Sequence, residues 1–127
     1  MKQITREMLR IYKPLSGLDW MNYKVVRNQM TFHHIIKKCD GGLEIIDNGA
    51  LLMSKPHQYL HTIEFADPDT YVALNKIFEF INKQKHEPTE EQRQIIEYLL
   101  STFEDKHKKD KTSKGKLLIK PYYLQRW

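Results

Sequence analysis

Residues 31–64 read TFHHIIKKCDGGLEIIDNGALLMSKPHQYLHTIE, and the organisation of the chain turns on this stretch. On its N-terminal side, Tyr23 to Lys38 sets Val25, Val26, Phe32, Ile35 and Ile36 among polar residues, a pattern of extended chain. Asp40-Gly41-Gly42 is a tight-turn signal, because glycine accepts a positive φ at little cost. Leu43-Glu44-Ile45-Ile46 then reads as a short second strand or irregular arm. Asp47-Asn48-Gly49 breaks that run and can start a helix, since Leu51, Leu52, Tyr59, Leu60 and Ile63 share one helical face between Ala50 and Phe65. Pro56 splits the span into two short helical pieces, the second starting near Lys55–His57. The expected order is arm, turn, arm, helix.

Four of the six histidines fall inside this stretch: His33, His34, His57 and His61. His57 and His61 are four apart, so on a helix both rings leave the same face and can share one divalent cation. His33 and His34 are adjacent, and on an extended chain adjacent side chains point to opposite faces. One of the pair can therefore address a metal while the other is aimed elsewhere. A metal-bound phosphodiester needs charge stabilisation at phosphorus and a base for the attacking water, and a neutral imidazole with pKa near ~6.5 can be that base. Three ligating histidines and one free histidine are a sufficient set.

Outward from this stretch the chain is mostly helical. Leu9, Ile11, Tyr12, Leu15, Leu18, Trp20 and Met21, punctuated by Pro14 and Gly17, suggest two short pieces before Lys24. Asp67-Pro68 is an N-cap followed by proline, and Tyr71, Leu74, Ile77, Phe78 and Ile81 form an apolar stripe directed at a core. Thr89-Glu90-Glu91-Gln92 matches a capping box, and Ile95, Ile96, Leu99, Leu100 and Phe103 carry the next stripe. The two helices are expected to form a hairpin, about 67–107, through the Lys85–Pro88 turn. Residues 108–127 are expected as a lysine-rich loop and an apolar tail ending at Trp127, which docks on the core or offers a route to a homodimer.

Composition narrows the class. The chain has 127 residues, enough for a single domain, and a net charge of +5 that favours polyanionic partners. Cys39 is the one cysteine, so a metal must be held by histidine, carboxylate or asparagine. No apolar run is long enough to span a bilayer and no apolar stretch follows the N-terminal charges, so a cytoplasmic location is expected.

The series His33-His34-Ile35, Gly41-Gly42, Asn48, Leu51-Leu52, His57 and His61 resembles the HNH (His-Me finger) endonuclease motif, with His57 nine residues after Asn48. The paired histidines at the start and the closing His-x3-His resemble the colicin-DNase branch. The likeness covers about Thr31 to Glu64. It implies an α+β fold, a ββα-metal finger of about 31–64 flanked by helices, with a mostly helical C-terminal half. It also implies a metal-dependent endonuclease acting on DNA, with duplex as the expected form. By position, His33, His57 and His61 would ligate one divalent ion (Zn, Ni, Mn or Mg), and His34 would be the general base. Asn48 would brace the loop or orient His34 across the finger. Arg27, Lys37, Lys38 and Lys55 lie near enough in sequence to contact phosphates. Two features depart from the pattern. Met53 and Pro56 stand where many family members carry zinc-binding cysteines, and Gly49 stands where an apolar residue is common, which is expected to loosen the helix start. The competing readings are a metal-stabilised DNA-binding module without catalysis and an interaction protein that recruits its partner through the tail.

Overall fold

A computed structural model describes residues 1–26 and 28–107. Helix α1 (Gln3–Ile11) is followed by an irregular segment, strand β1 (Met30–His34), strand β2 (Gly49–Met53) and helices α2 (Ser54–Ala66), α3 (Pro68–Gln84) and α4 (Glu90–Lys106). The fold is α+β: a two-stranded antiparallel hairpin packed on α2, with α1 before it and a mostly helical C-terminal half after it. Residues 108–127, which hold the expected basic loop and apolar tail, lie outside the described residues, as does Arg27.

The second strand is not where the apolar pattern placed it. Leu43–Ile45 is irregular, and the strand that pairs with β1 is Gly49–Met53, in a register that sets His33 opposite Ala50 and His34 opposite Gly49. All five β2 residues are buried, with α1, α2 and α3 all packed against the strand. A strand covered on both faces loses the alternation that marks a half-exposed one, so Ala50–Leu52 read as the start of a helix. Only the second expected helical piece exists, and it begins at Ser54. Pro56 falls in the first turn of α2, where its missing N–H would have no intrahelical partner anyway.

Gly49 likewise belongs to a strand rather than to a helix start. A Cβ there would run into the Phe32 ring and come within 2.6 Å of the Met8 sulfur, so the glycine lets α1 close down on the hairpin. The glycine pair lies within the long connection between the strands, not in a two-residue turn. There Gly41, at φ 88°, ends the short 3-10 turn Lys38–Asp40.

Asn48 holds this connection in shape. Its side chain accepts from Ile36 N–H (2.8 Å) and donates to the carbonyls of Ile36 (3.0 Å) and Leu43 (2.9 Å), while its own carbonyl accepts from Ile35 N–H (2.9 Å). From α3, the Asn82 amide donates to the carbonyls of Ile46 and Gly49 at 2.6 and 2.8 Å. The far end of β2 is fixed by buried Asp19, whose carboxylate accepts from the N–H groups of Met21, Tyr23 and Met53. The connection and both strand ends are thus tied by side chains from distant parts of the chain.

The helical hairpin follows the sequence expectation closely. Asp67 accepts from Thr70 N–H with Pro68 behind it, and Thr89 and Gln92 complete a reciprocal capping box. Leu74, Phe78, Ile81, Ile96, Leu100 and Phe103 join one core with Met8, Tyr12, Trp20, Leu51, Leu52, Leu60 and Ile63. Among the described residues no helix is long and apolar enough to cross a membrane.

Candidate metal centre

β1 and α2 bring His33, His57 and His61 together. β2 runs directly into α2, which places its first turns across the face of the hairpin from which Thr31 and His33 project. One potential ligand nitrogen from each of the three rings lies within 4.8 Å of the others. Two nitrogens bound to one ion at ~2.1 Å each stand roughly 3.4 Å apart. Closing the triangle on a cation therefore takes side-chain adjustment of about an ångström, not a refolded backbone.

One nitrogen of every ring is engaged in a hydrogen bond, and this sets the tautomer of each neutral ring. The Thr31 hydroxyl donates to the Leu52 carbonyl (2.7 Å), so at 2.8 Å from His57 Nδ1 it accepts, and the ring carries its proton there. His33 Nε2 donates to Asn75 Oδ1 at 2.8 Å, and His61 Nδ1 donates to Glu64 Oε1 at 3.1 Å. The lone pairs left over are those of His33 Nδ1, His57 Nε2 and His61 Nε2. Outer partners of this kind orient metal-binding imidazoles and raise their basicity. Glu64 is held in turn by Lys37, whose ammonium donates to its other oxygen.

Burial keeps the two inner rings neutral. It pushes His33 down to about 3, against the pull of the Asn75 hydrogen bond and with His57 and His61 adding to the shift. Burial likewise lowers His57 to about 4, helped by the charges of His61 and His34. The metal-free protein should therefore lose stability as the medium is acidified. Below pH 6.5 the unfolded chain protonates both rings while the folded protein resists, so the unfolded state binds more protons. His33 alone contributes a loss of about 2 kcal/mol between its ordinary value of 6.5 and about pH 5. His57 acts in the same direction. Asp19, raised by burial to about 6, offsets part of the loss, because there the folded state holds the extra proton. Urea unfolding of metal-free protein at pH 7 and about pH 5 measures the difference, and equal midpoints would contradict neutral inner rings.

His34 leaves β1 on the opposite side from His33, its ring edge-on to Phe32 at 4.9 Å between centroids. It is half-buried, which lowers its pKa against the opposing pull of Glu44, and it lines one cleft of about 430 Å³ with His33, His57 and His61. Lys37, Lys38, Cys39 and Tyr71 complete that cleft. Lys55 instead borders a separate depression with Lys24, on the other side of the α2 N-terminus, so the structure does not bring it to the histidines. Asp47 pairs with Lys85 at 2.7 Å, and Asp40 sits in a 3-10 turn; neither belongs to the three-histidine group. His86 is exposed, and His107 lies 3.6 Å from Asp67.

Four residues around the centre escape a reading of the sequence: Thr31, Glu64, Tyr71 and Asn75. Glu64 stands three residues after His61 on the same helix, a spacing that could have exposed it. Asn75 interrupts the apolar stripe of α3 between Leu74 and Phe78, and a polar residue within such a stripe is itself a signal. Thr31 carried no signal beyond its alternation with His33. No family model, curated protein or solved structure matches the chain.

Proposed function

We propose that the protein is a metal-dependent endonuclease that hydrolyses DNA phosphodiester bonds. Support comes from one observation above all: three imidazoles offer one ring nitrogen each within 4.8 Å of the others, every ring holds a hydrogen bond to an outer partner, and a fourth histidine lines the same cleft. His33, His57 and His61 would hold the ion. An all-nitrogen donor set suits zinc or nickel better than magnesium, which prefers oxygen. A bound divalent ion supplies Lewis-acid stabilisation of the developing negative charge at the phosphoryl group and the leaving oxygen.

The chain's own groups do the rest. His34, held neutral at physiological pH, accepts a proton from the attacking water as its oxygen bonds to phosphorus. The bond from phosphorus to the 3′-oxygen then breaks, and that oxygen takes a proton from solvent. Asn48 is a positioning residue, holding residues 35 and 36, which follow the base directly. Lys37 and Lys38 border the cleft where flanking phosphates would pass. Lys55 would serve such phosphates only beyond the cleft itself.

A plasmid-nicking assay tests this reading. Supercoiled DNA should be nicked when Zn²⁺, Ni²⁺ or Mn²⁺ is present and left intact with excess chelator. Protein that binds both metal and DNA yet nicks under none of these ions would instead be a binding module.

A further inference from the structure

Three depressions of the surface adjoin one another in series. The histidine cleft is the first. The second, of about 560 Å³, is lined by Thr31, Asn28, Gln29 and Ser54 and shares His57 with the first. The third, of about 410 Å³, holds Lys24 and Lys55 and shares Gln29 with the second. Depressions that share a lining side chain are neighbours, so the three make one path from His33, past the start of α2, to Lys24.

The path carries one sign of charge. Lysines line every part of it: Lys37 and Lys38 in the first depression, Lys2 in the second, Lys24 and Lys55 in the third. No Asp or Glu lines any of the three, although the chain has 16 acidic residues. The depression beside Arg93 on α4 is the contrast, lined by both Glu90 and Glu97. Lys2 and Lys37 already hold Glu44 and Glu64, whereas Lys24 and Lys38, at opposite ends, make no ion pair among the described residues. Lysines at separated points along a path without carboxylates fit a ligand of repeating negative charge, since each contact releases a condensed counterion. Between them, the amides of Asn28 and Gln29 and the hydroxyl of Ser54 can donate to phosphate oxygens.

We propose that one DNA strand, its scissile phosphate at the three-histidine centre, continues past His57 and Gln29 to Lys24 and Lys55, which bind its backbone phosphates at the far end. The path rests on the endonuclease reading above and gives that site a direction, with contacts extending from the centre past the start of α2.

The test measures binding of a fluorescent single strand of about 12 nucleotides to the full chain, in excess chelator so that the DNA stays intact. Lys24→Ala/Lys55→Ala is compared with wild type and with Lys76→Ala/Lys83→Ala, which removes the same charge from exposed positions of α3 that line none of the three depressions. The first variant should bind more weakly, and its log affinity should fall less steeply with log salt, by ~1.4 in slope for two single-strand phosphates at ~0.7 each. The α3 variant should keep the wild-type slope. Gln29→Glu should also weaken binding, because it sets a carboxylate midway along the path. That side chain is exposed, and the hydrogen bonds of residue 29 to Val26 and Ser54 are made by its backbone, so the segment keeps its shape. A wild-type slope in Lys24→Ala/Lys55→Ala, or an equal shift in both lysine pairs, overturns the proposal. So does unchanged affinity in Gln29→Glu, since the strand would then bypass the middle depression. Nicking of plasmid is scored separately. Protein that shows the Lys24, Lys55 and Gln29 dependence yet nicks under no divalent ion loses the reaction and keeps the path, and a wild type that binds no DNA loses both.

Discussion

Replacing His34 with alanine should lower metal-dependent nicking by ~10²–10⁴-fold, the usual contribution of a general base. Metal affinity should stay the same. The two effects separate because β1 sends adjacent side chains to opposite faces. His33 reaches toward His57 and His61, whereas His34 lies against Phe32 and engages none of the ligand nitrogens' outer partners. A buried ring lost from the core would also cost stability, but His34 is only half-buried and its removal leaves the Thr31, Asn75 and Glu64 contacts in place. Nicking assays and calorimetric metal titrations on the same preparation decide the matter. Full activity in His34→Ala would remove the residue from the mechanism, and joint loss of metal and activity would make it a ligand instead.

The second large effect belongs to His33. In His33→Ala, metal affinity should fall by well over ~10-fold, more than the loss expected on removing an outer partner. The reason is burial. His33 is 2% exposed, so no water or neighbouring side chain can readily take the vacated position, and its Asn75 partner would be left without a donor. His61 is the contrast: its side chain is 48% exposed, and a water could substitute for it at smaller cost. The expected order of loss is therefore His33, then His57, then His61. Isothermal calorimetry with Zn²⁺ on the three alanine variants measures it, and unchanged affinity in His33→Ala would take that ring out of the centre altogether.

How far the sequence alone reaches can be judged residue by residue. The caps at Asp67 and Thr89, the hairpin between α3 and α4, and the shared face of His57 and His61 all depend on interactions within a few residues of chain. Such local rules are visible in a one-dimensional pattern. The divergence of His33 from His34 follows equally from strand geometry. β2 was hidden for the opposite reason: three helices bury both its faces, and the apolar run Ala50–Met53 carries no period that tells strand from helix. That Lys55 borders a depression apart from the histidine cleft was not legible either, because nearness along the chain does not say which side of a helix start a residue faces.

By itself, then, the order of residues determined which imidazoles could meet one another, because helix and strand periodicities set the faces of His33, His57 and His61 before any tertiary contact forms. Tertiary structure decided how those imidazoles are held. Asn75 reaches His33 across 42 residues and Thr31 reaches His57 across 26, and only the docking of α3 and α2 onto the hairpin brings them within hydrogen-bonding distance. The same docking desolvates the inner rings. Protonation state and tautomer are products of burial and of the hydrogen bonds it brings together, and burial is a property of the packed chain.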